Sequence, residues 1–230
     1  MKIKILTLPL LSLLPASLPA ALIQIDYGAI GSYETTGNWN NVTSSTSQGS
    51  HSSSIADLIE SDGSSSGFSL QTESVGQIGA NTNGENSIAS GFPASASRDS
   101  FYFEGSNGLI ITLGNLNVGQ TYDFTFYAAR SGSGSRIAEY EVVGGNTTDT
   151  TTLNALGNVS NTTSLSGFTA DVNGEIVINV SRTTGSFGYL GVLEIESSVI
   201  PEPSQSALIM VAAIVIPATL LSRRRNRRNS

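Results

Sequence analysis

Nine residues in the middle of the chain set the tightest limit on what it can fold into. In Thr121 to Ala129, Tyr122, Phe124 and Phe126 alternate with Thr121, Asp123 and Thr125, so three rings share one face of an extended strand and the polar side chains share the other. A helix would scatter those rings around its circumference. The same period of two recurs in Ile137 to Val143, with Ala138, Tyr140 and Val142 inward and Glu139 and Glu141 outward, and again in Ile176, Ile178 and Val180. Phe101 to Phe103 and Leu109 to Leu113 are two further apolar runs, expected with Thr121 to Ala129 to be the central core strands. Between the runs stand Ser, Thr, Gly and Asn, as in Asn115 to Gln120 and Gly144-Gly145-Asn146, which is turn chemistry. Short patterned runs separated by such turns read as an all-β sandwich or barrel.

The remaining segments fit around these strands. Ile23 and Ile25 alternate with Gln24 and Asp26 in a half-buried first strand from Leu22 to Gly28. Gly31 to Ser54 holds Trp39 and a Ser/Thr tract with too little apolar surface to repay ordering, so a mobile surface excursion is expected there. Ile55, Leu58 and Ile59 have helical spacing, with Ser54 as a cap and Gly63 as a stop. Phe68 to Thr72 reads as a strand, Gln77 to Ser97 as a connection, Thr148 to Thr152 as a polar edge strand, and Phe187 to Ile195 as the closing strand.

Both ends carry hydrophobic segments of another kind. Residues 1–21 have a signal peptide's layout: Lys2 and Lys4, an apolar stretch from Ile5 to Leu14, then small residues at Ala16, Ala20 and Ala21. At the other end, Pro201-Glu202-Pro203 precedes an apolar run of 15 residues, Ala207 to Leu221, and then Arg223, Arg224, Arg225, Arg227 and Arg228. The prolines hold Glu202 in an extended, protease-accessible peptide. As a helix the run is about 22 Å long against roughly 30 Å of hydrocarbon, so it spans a membrane only with its serine flanks. The arginines then keep the C-terminus in the cytoplasm. The expected organisation is a leader at 1–21, an exported body at 22–199 and a terminal signal at 200–230.

That terminal arrangement of Pro201, Glu202 and Pro203, a short span and an arginine cluster resembles the PEP-CTERM sorting signal of Gram-negative bacteria. The resemblance implies recognition and cleavage of the tripeptide by an exosortase. It also implies passage through the inner membrane to the cell surface or extracellular matrix, in hosts that make exopolysaccharide. The other reading of the tail is a plain membrane anchor.

The body is acidic, which restricts its partners. Residues 22–199 contain four arginines, no lysine and 17 acids, a net charge of 4 − 17 = −13. Such a surface repels nucleic acid and anionic membranes and favours cations. Cysteine is absent, which removes disulfides, thiolate metal sites and cysteine nucleophiles.

The run Asn115 to Ala129, with Gly174 to Ile178 and Gly188 to Ile195, resembles the galactose-binding-like jelly-roll sandwiches of carbohydrate-binding modules. An antiparallel jelly-roll-type β-sandwich, contact with glycans and a structural calcium are what this resemblance implies. In such modules the ion bridges the first and last strands, so Asp26 with Glu194 or Glu196 would be its ligands here.

Catalytic chemistry is poorly served. His51 is the sole histidine and lies in the serine-rich tract, where nothing supplies a triad's third member. Glu194 and Glu196, like Glu139 and Glu141, are two apart on a strand, which puts their α-carbons about 7 Å apart and so touches the separation of inverting glycosidases. Period-two acids on a strand are nonetheless the usual wet face of a half-exposed sheet. Trp39, with Tyr33 and Tyr27, could form a sugar platform, and the competing reading of Trp39 is a plug over one end of the sandwich. The expected function is a non-catalytic surface or matrix protein, sorted by an exosortase and associating with exopolysaccharide or envelope glycan. The alternative is a secreted glycoside hydrolase working on carboxylates alone.

Overall fold

A computed structural model describes residues 21–84 and 90–199. The leader through Ala20, the Pro-Glu-Pro tripeptide, the terminal apolar run and the arginine cluster lie outside the described residues. Fourteen strands and one short helix are described: β1 (Ala21–Ala29), β2 (Asn40–Ser44), β3 (Ser52–Ile55), β4 (Ser69–Val75), β5 (Ile78–Asn81), α1 (Ala94–Arg98), β6 (Ser100–Glu104), β7 (Gly108–Gly114), β8 (Gln120–Tyr127), β9 (Arg136–Gly144), β10 (Thr147–Asn154), β11 (Thr163–Phe168), β12 (Ile176–Gly185), β13 (Phe187–Leu190) and β14 (Val192–Val199). No helix among the described residues is long and apolar enough to cross a membrane.

The strands build a jelly-roll-type sandwich. One sheet runs β11-β8-β14-β1-β2, the facing sheet runs β10-β9-β12-β7-β4-β3, and a three-stranded sheet runs β13-β6-β5. From β7 onward the chain passes repeatedly between sheets, and β14 returns to pair antiparallel with β1. Pairing is antiparallel except between β1 and the edge strand β2.

Alternation decides which side chains fill the space between sheets. Tyr122, Phe124 and Phe126 of β8 are fully buried, as are Ala138, Tyr140 and Val142 of β9 and Ile176, Ile178 and Val180 of β12. Phe126 stacks on Tyr140 of the opposite sheet, with centroids 4.5 Å apart and planes 16° apart. Tyr140 then donates its hydroxyl to the Tyr189 carbonyl at 2.7 Å, which ties the small sheet to the main core. Burying each of these rings contributes about 1.5–3 kcal/mol.

Several local expectations are corrected. The Ser/Thr tract is paired structure rather than a loose excursion: Gly49 and Ile78 exchange two backbone hydrogen bonds, and Ala80 N–H donates to Ser45 O. β3 pairs with β4. Edge strands of this kind need backbone partners, not apolar side chains, so composition hides them. Ile55, Leu58 and Ile59 form no helix. Leu58 is buried, its N–H donates to Phe68 O, and the buried Asn40 amide bridges Ile59 N–H and Ile59 O. The closing segment is two strands in different sheets, divided at Gly191, whose carbonyl accepts from Tyr27 N–H and whose N–H donates to Tyr127 O.

Candidate functional site

Two regions concentrate chemistry, and the first lies on the outer face of β1. Gln24, Asp26 and Gly28 point away from the sandwich core, where a two-layer fold would leave them wet. Here Trp39, Phe92, Ala96, Tyr127, Ala129 and Val192 form a second apolar cluster outside the sheet, and α1 lies over it. Asp26 and Asp99 are both 1% exposed beside this cluster. Asp99 fits only because residue 28 is glycine, since a Cβ there would overlap its carboxylate.

Each carboxylate is half-satisfied. Asp26 Oδ2 accepts from Thr35 N–H at 3.2 Å and Asp99 Oδ2 from Ala29 N–H at 2.8 Å. Oδ1 of both is buried without a hydrogen-bond partner. Burial pushes Asp26 up to about 6, against the opposing pull of the Thr35 hydrogen bonds. Burial, and then the charge of Asp26, push Asp99 up to about 8. With its pKa raised this far by burial and by the charge of Asp26, Asp99 keeps its proton at neutrality.

Glu194 and Glu196 sit elsewhere on the same sheet face. Glu194 is half-buried opposite Gln24 and accepts its Nε2–H at 2.7 Å, and burial raises its pKa. Glu196 is exposed, opposite Asp123. Among the described residues, no three His, Cys, Asp or Glu side chains are grouped to hold a metal ion. The pair with orphaned oxygens is Asp26 with Asp99, and Asp99 was not singled out from the sequence. Its one signal was an acid placed directly before an apolar strand.

The second region is a cleft of about 350 Å³ on the small sheet, lined by Thr46, Ala80, Asn81, Thr82, Asn83, Tyr102, Arg130, Phe187 and Tyr189. Tyr102 and Tyr189 are register partners across β6 and β13. The Tyr102 ring lies edge-on to Phe187 at 5.5 Å and tilted to Tyr189 at 6.3 Å. Gly79 makes room for it, because a Cβ at 79 would come within 2.7 Å of the ring. On the polar side, Arg130 donates from Nη1 to Asn83 O at 3.1 Å, and Asn81 Oδ1 accepts from Asn83 N–H at 3.1 Å. Apolar ring surface beside amide, hydroxyl and guanidinium groups, in a volume near the lower end of the usual ligand range, is the make-up of a small-molecule or glycan site.

The tryptophan and the histidine are placed outside that cleft. Trp39 packs edge-on to Phe92 at 6.3 Å, while Tyr27 is fully buried in the core on the other side of β1 and Tyr33 is exposed with Arg98 over its ring. The three do not share a surface. His51 packs edge-on to Phe101 at 5.0 Å, and its Nε2 pairs with the Ser53 hydroxyl at 3.0 Å. Burial lowers its pKa.

No protein-family model matches the chain, and no curated protein matches it. Several solved structures are similar in part, two of them as follows. One is the enzymatically active domain of tailspike protein 4 from bacteriophage CBA120, with 14% identity and a TM-score of 0.32 over 59% of this chain. The other is TmCBM61 in complex with β-1,4-galactotriose, with 12% identity and a TM-score of 0.30 over 58% of this chain. The chain spans 20% of the tailspike chain and 88% of TmCBM61.

Proposed function

We propose that this chain is an exported, non-catalytic surface or matrix protein that holds glycan in the cleft between β5, β6 and β13. The observation that carries this reading is the grouping of Tyr102, Phe187 and Tyr189 with Asn81, Asn83, Thr46 and Arg130 around one opening. A pyranose presents C–H faces to rings and hydroxyls to amides and guanidiniums, and the cleft offers both. Against the hydrolase alternative stands the location of the carboxylates. Among the described residues none lines the cleft, and the two whose pKa values are displaced furthest upward are 1% exposed, out of a polysaccharide's reach.

A polysaccharide pull-down tests the reading. The full chain is expected to be retained by host exopolysaccharide with or without EDTA, and Tyr102→Ala with Phe187→Ala to lower retention about tenfold, since aromatic contacts contribute about 0.5–1.5 kcal/mol each. Hydrolysis of a glycoside by the purified chain would reverse the ranking.

Sorting belongs to the same proposal and rests on Pro201, Glu202, Pro203 and the arginine cluster. Glu202→Ala with Pro203→Ala is expected to leave the hydrophobic tail uncut, seen as a larger mature mass. An unchanged mass would defeat it.

A structural calcium also remains part of the proposal, expected from the sequence on Asp26 with Glu194 or Glu196 and here given Asp99 as the second carboxylate beside Asp26. Their orphaned, buried oxygens fit a hard cation that takes oxygen ligands alone, and such an ion would take the place of the proton on Asp99.

A further inference from the structure

The four arginines of residues 22–199 are unevenly placed. Arg130 lines the cleft, and the Arg136 guanidinium lies over the Phe187 ring at 5.4 Å. Arg182 is held alongside β13, donating from Nε to Gly105 O and from Nη1 to Gly185 O. Only Arg98 lies apart, over Tyr33. One of the body's four cationic side chains thus lines the cleft, a second lies over a ring of its lining, and a third is held near the same small sheet, in a body of net charge −13.

The hydrogen bonds of these three go to backbone carbonyls: Asn83 for Arg130, Ser135 for Arg136, and Gly105 and Gly185 for Arg182. Such partners orient a guanidinium and leave its charge in place. A guanidinium has five N–H donors, and Arg130 uses one on Asn83. Among the described residues, the acid that shares this sheet face by register is Glu104, opposite Phe187 and hydrogen-bonded by Gln48, and it does not line the cleft.

We infer that the glycan is an acidic polysaccharide whose carboxylates are received by Arg130 while its rings stack on Tyr102 and Phe187. This rests on the glycan reading of the cleft and narrows its substrate class. A neutral glycan uses the guanidinium only as a donor to hydroxyls, whereas a carboxylate matches both the charge and the planar fork of an arginine. The acidic surface elsewhere opposes a polyanion, but at physiological salt that opposition fades over about 8 Å. The local positive charge then decides what settles in the cleft.

The probes are polygalacturonate and its methyl-esterified form, which share one backbone and differ in charge, titrated against the full chain in EDTA at physiological salt. The free acid is expected to bind about tenfold or more tightly than the ester, as a charge-assisted hydrogen bond allows. Arg130→Gln should erase that difference by weakening the free acid about tenfold more than the ester, and Arg130→Lys should restore part of it. Tyr102→Ala should weaken both, with circular dichroism confirming that each variant is folded. Equal binding of acid and ester overturns the inference and leaves the glycan reading standing. A preference that survives Arg130→Gln overturns the role of Arg130. If neither polymer binds, both fall.

Discussion

Replacing Phe126 by alanine is expected to cost about 3–5 kcal/mol, the range for removing a buried aromatic ring. The ring is fully buried and stacks on Tyr140 across the two sheets, and Tyr140 in turn holds the Tyr189 carbonyl of the small sheet. Removing it opens a cavity where three sheets meet, and β strands hydrogen-bonded on both sides have little freedom to collapse into it. Against a total stability of about 5–15 kcal/mol for a typical domain, that loss removes about a fifth of the stability at the least and all of it at the most. Urea unfolding measures the effect, with Val172→Ala as the control. Val172 is 96% exposed, so its change should stay within about 0.5 kcal/mol. A loss below about 1 kcal/mol at position 126 would mean that the sheets do not face one another through this pair.

The second large effect is a loss of stability as pH rises through neutrality. Asp99 titrates near 8 in the folded protein and at the ordinary carboxylate value of 3.8 when unfolded. The folded state therefore keeps a proton that the unfolded state has released. Stability from a group raised in this way is full below the unfolded value and is lost on the way up to the folded one, at about 1.4 kcal/mol per pH unit. Asp26, raised to about 6, adds to the slope below that pH. Between pH 7 and 8 His51 is already neutral, its pKa lying below 6.5, so Asp99 dominates this window. Thermal melts in EDTA should show the decline, and Asp99→Asn should flatten it. Added calcium should instead raise stability at pH 8, because the ion takes the place of the proton. A melting temperature that is flat with pH in EDTA would contradict the buried acid pair.

What could be read in the sequence followed from side-chain periodicity. β8, β9 and β12 announce themselves through the inward period of two at Tyr122, Phe124 and Phe126, at Ala138, Tyr140 and Val142, and at Ile176, Ile178 and Val180, and Thr147–Asn154 takes the edge position that its polarity implies. β2, β3, β5 and β11 were hidden because their order comes from backbone hydrogen bonds to distant partners. Helical spacing at Ile55, Leu58 and Ile59 misled for the same reason, since Asn40 and Phe68 hold that segment from afar. The acid pair joins residues 26 and 99 through the fold, so no local motif marks it. The cleft left a trace: with Phe101 and Phe103 inward, Tyr102 must face out, and an outward aromatic on a core strand is a reason to look for a ligand.

Hydrogen–deuterium exchange of the full chain, with and without bound exopolysaccharide, tests the central claim most directly. The claim predicts slowed exchange in Ile78–Asn83, Ser100–Glu104 and Phe187–Leu190, with the polysaccharide chain length unchanged. Slowing confined to β1 and α1, no slowing anywhere, or a shortened polysaccharide would contradict it.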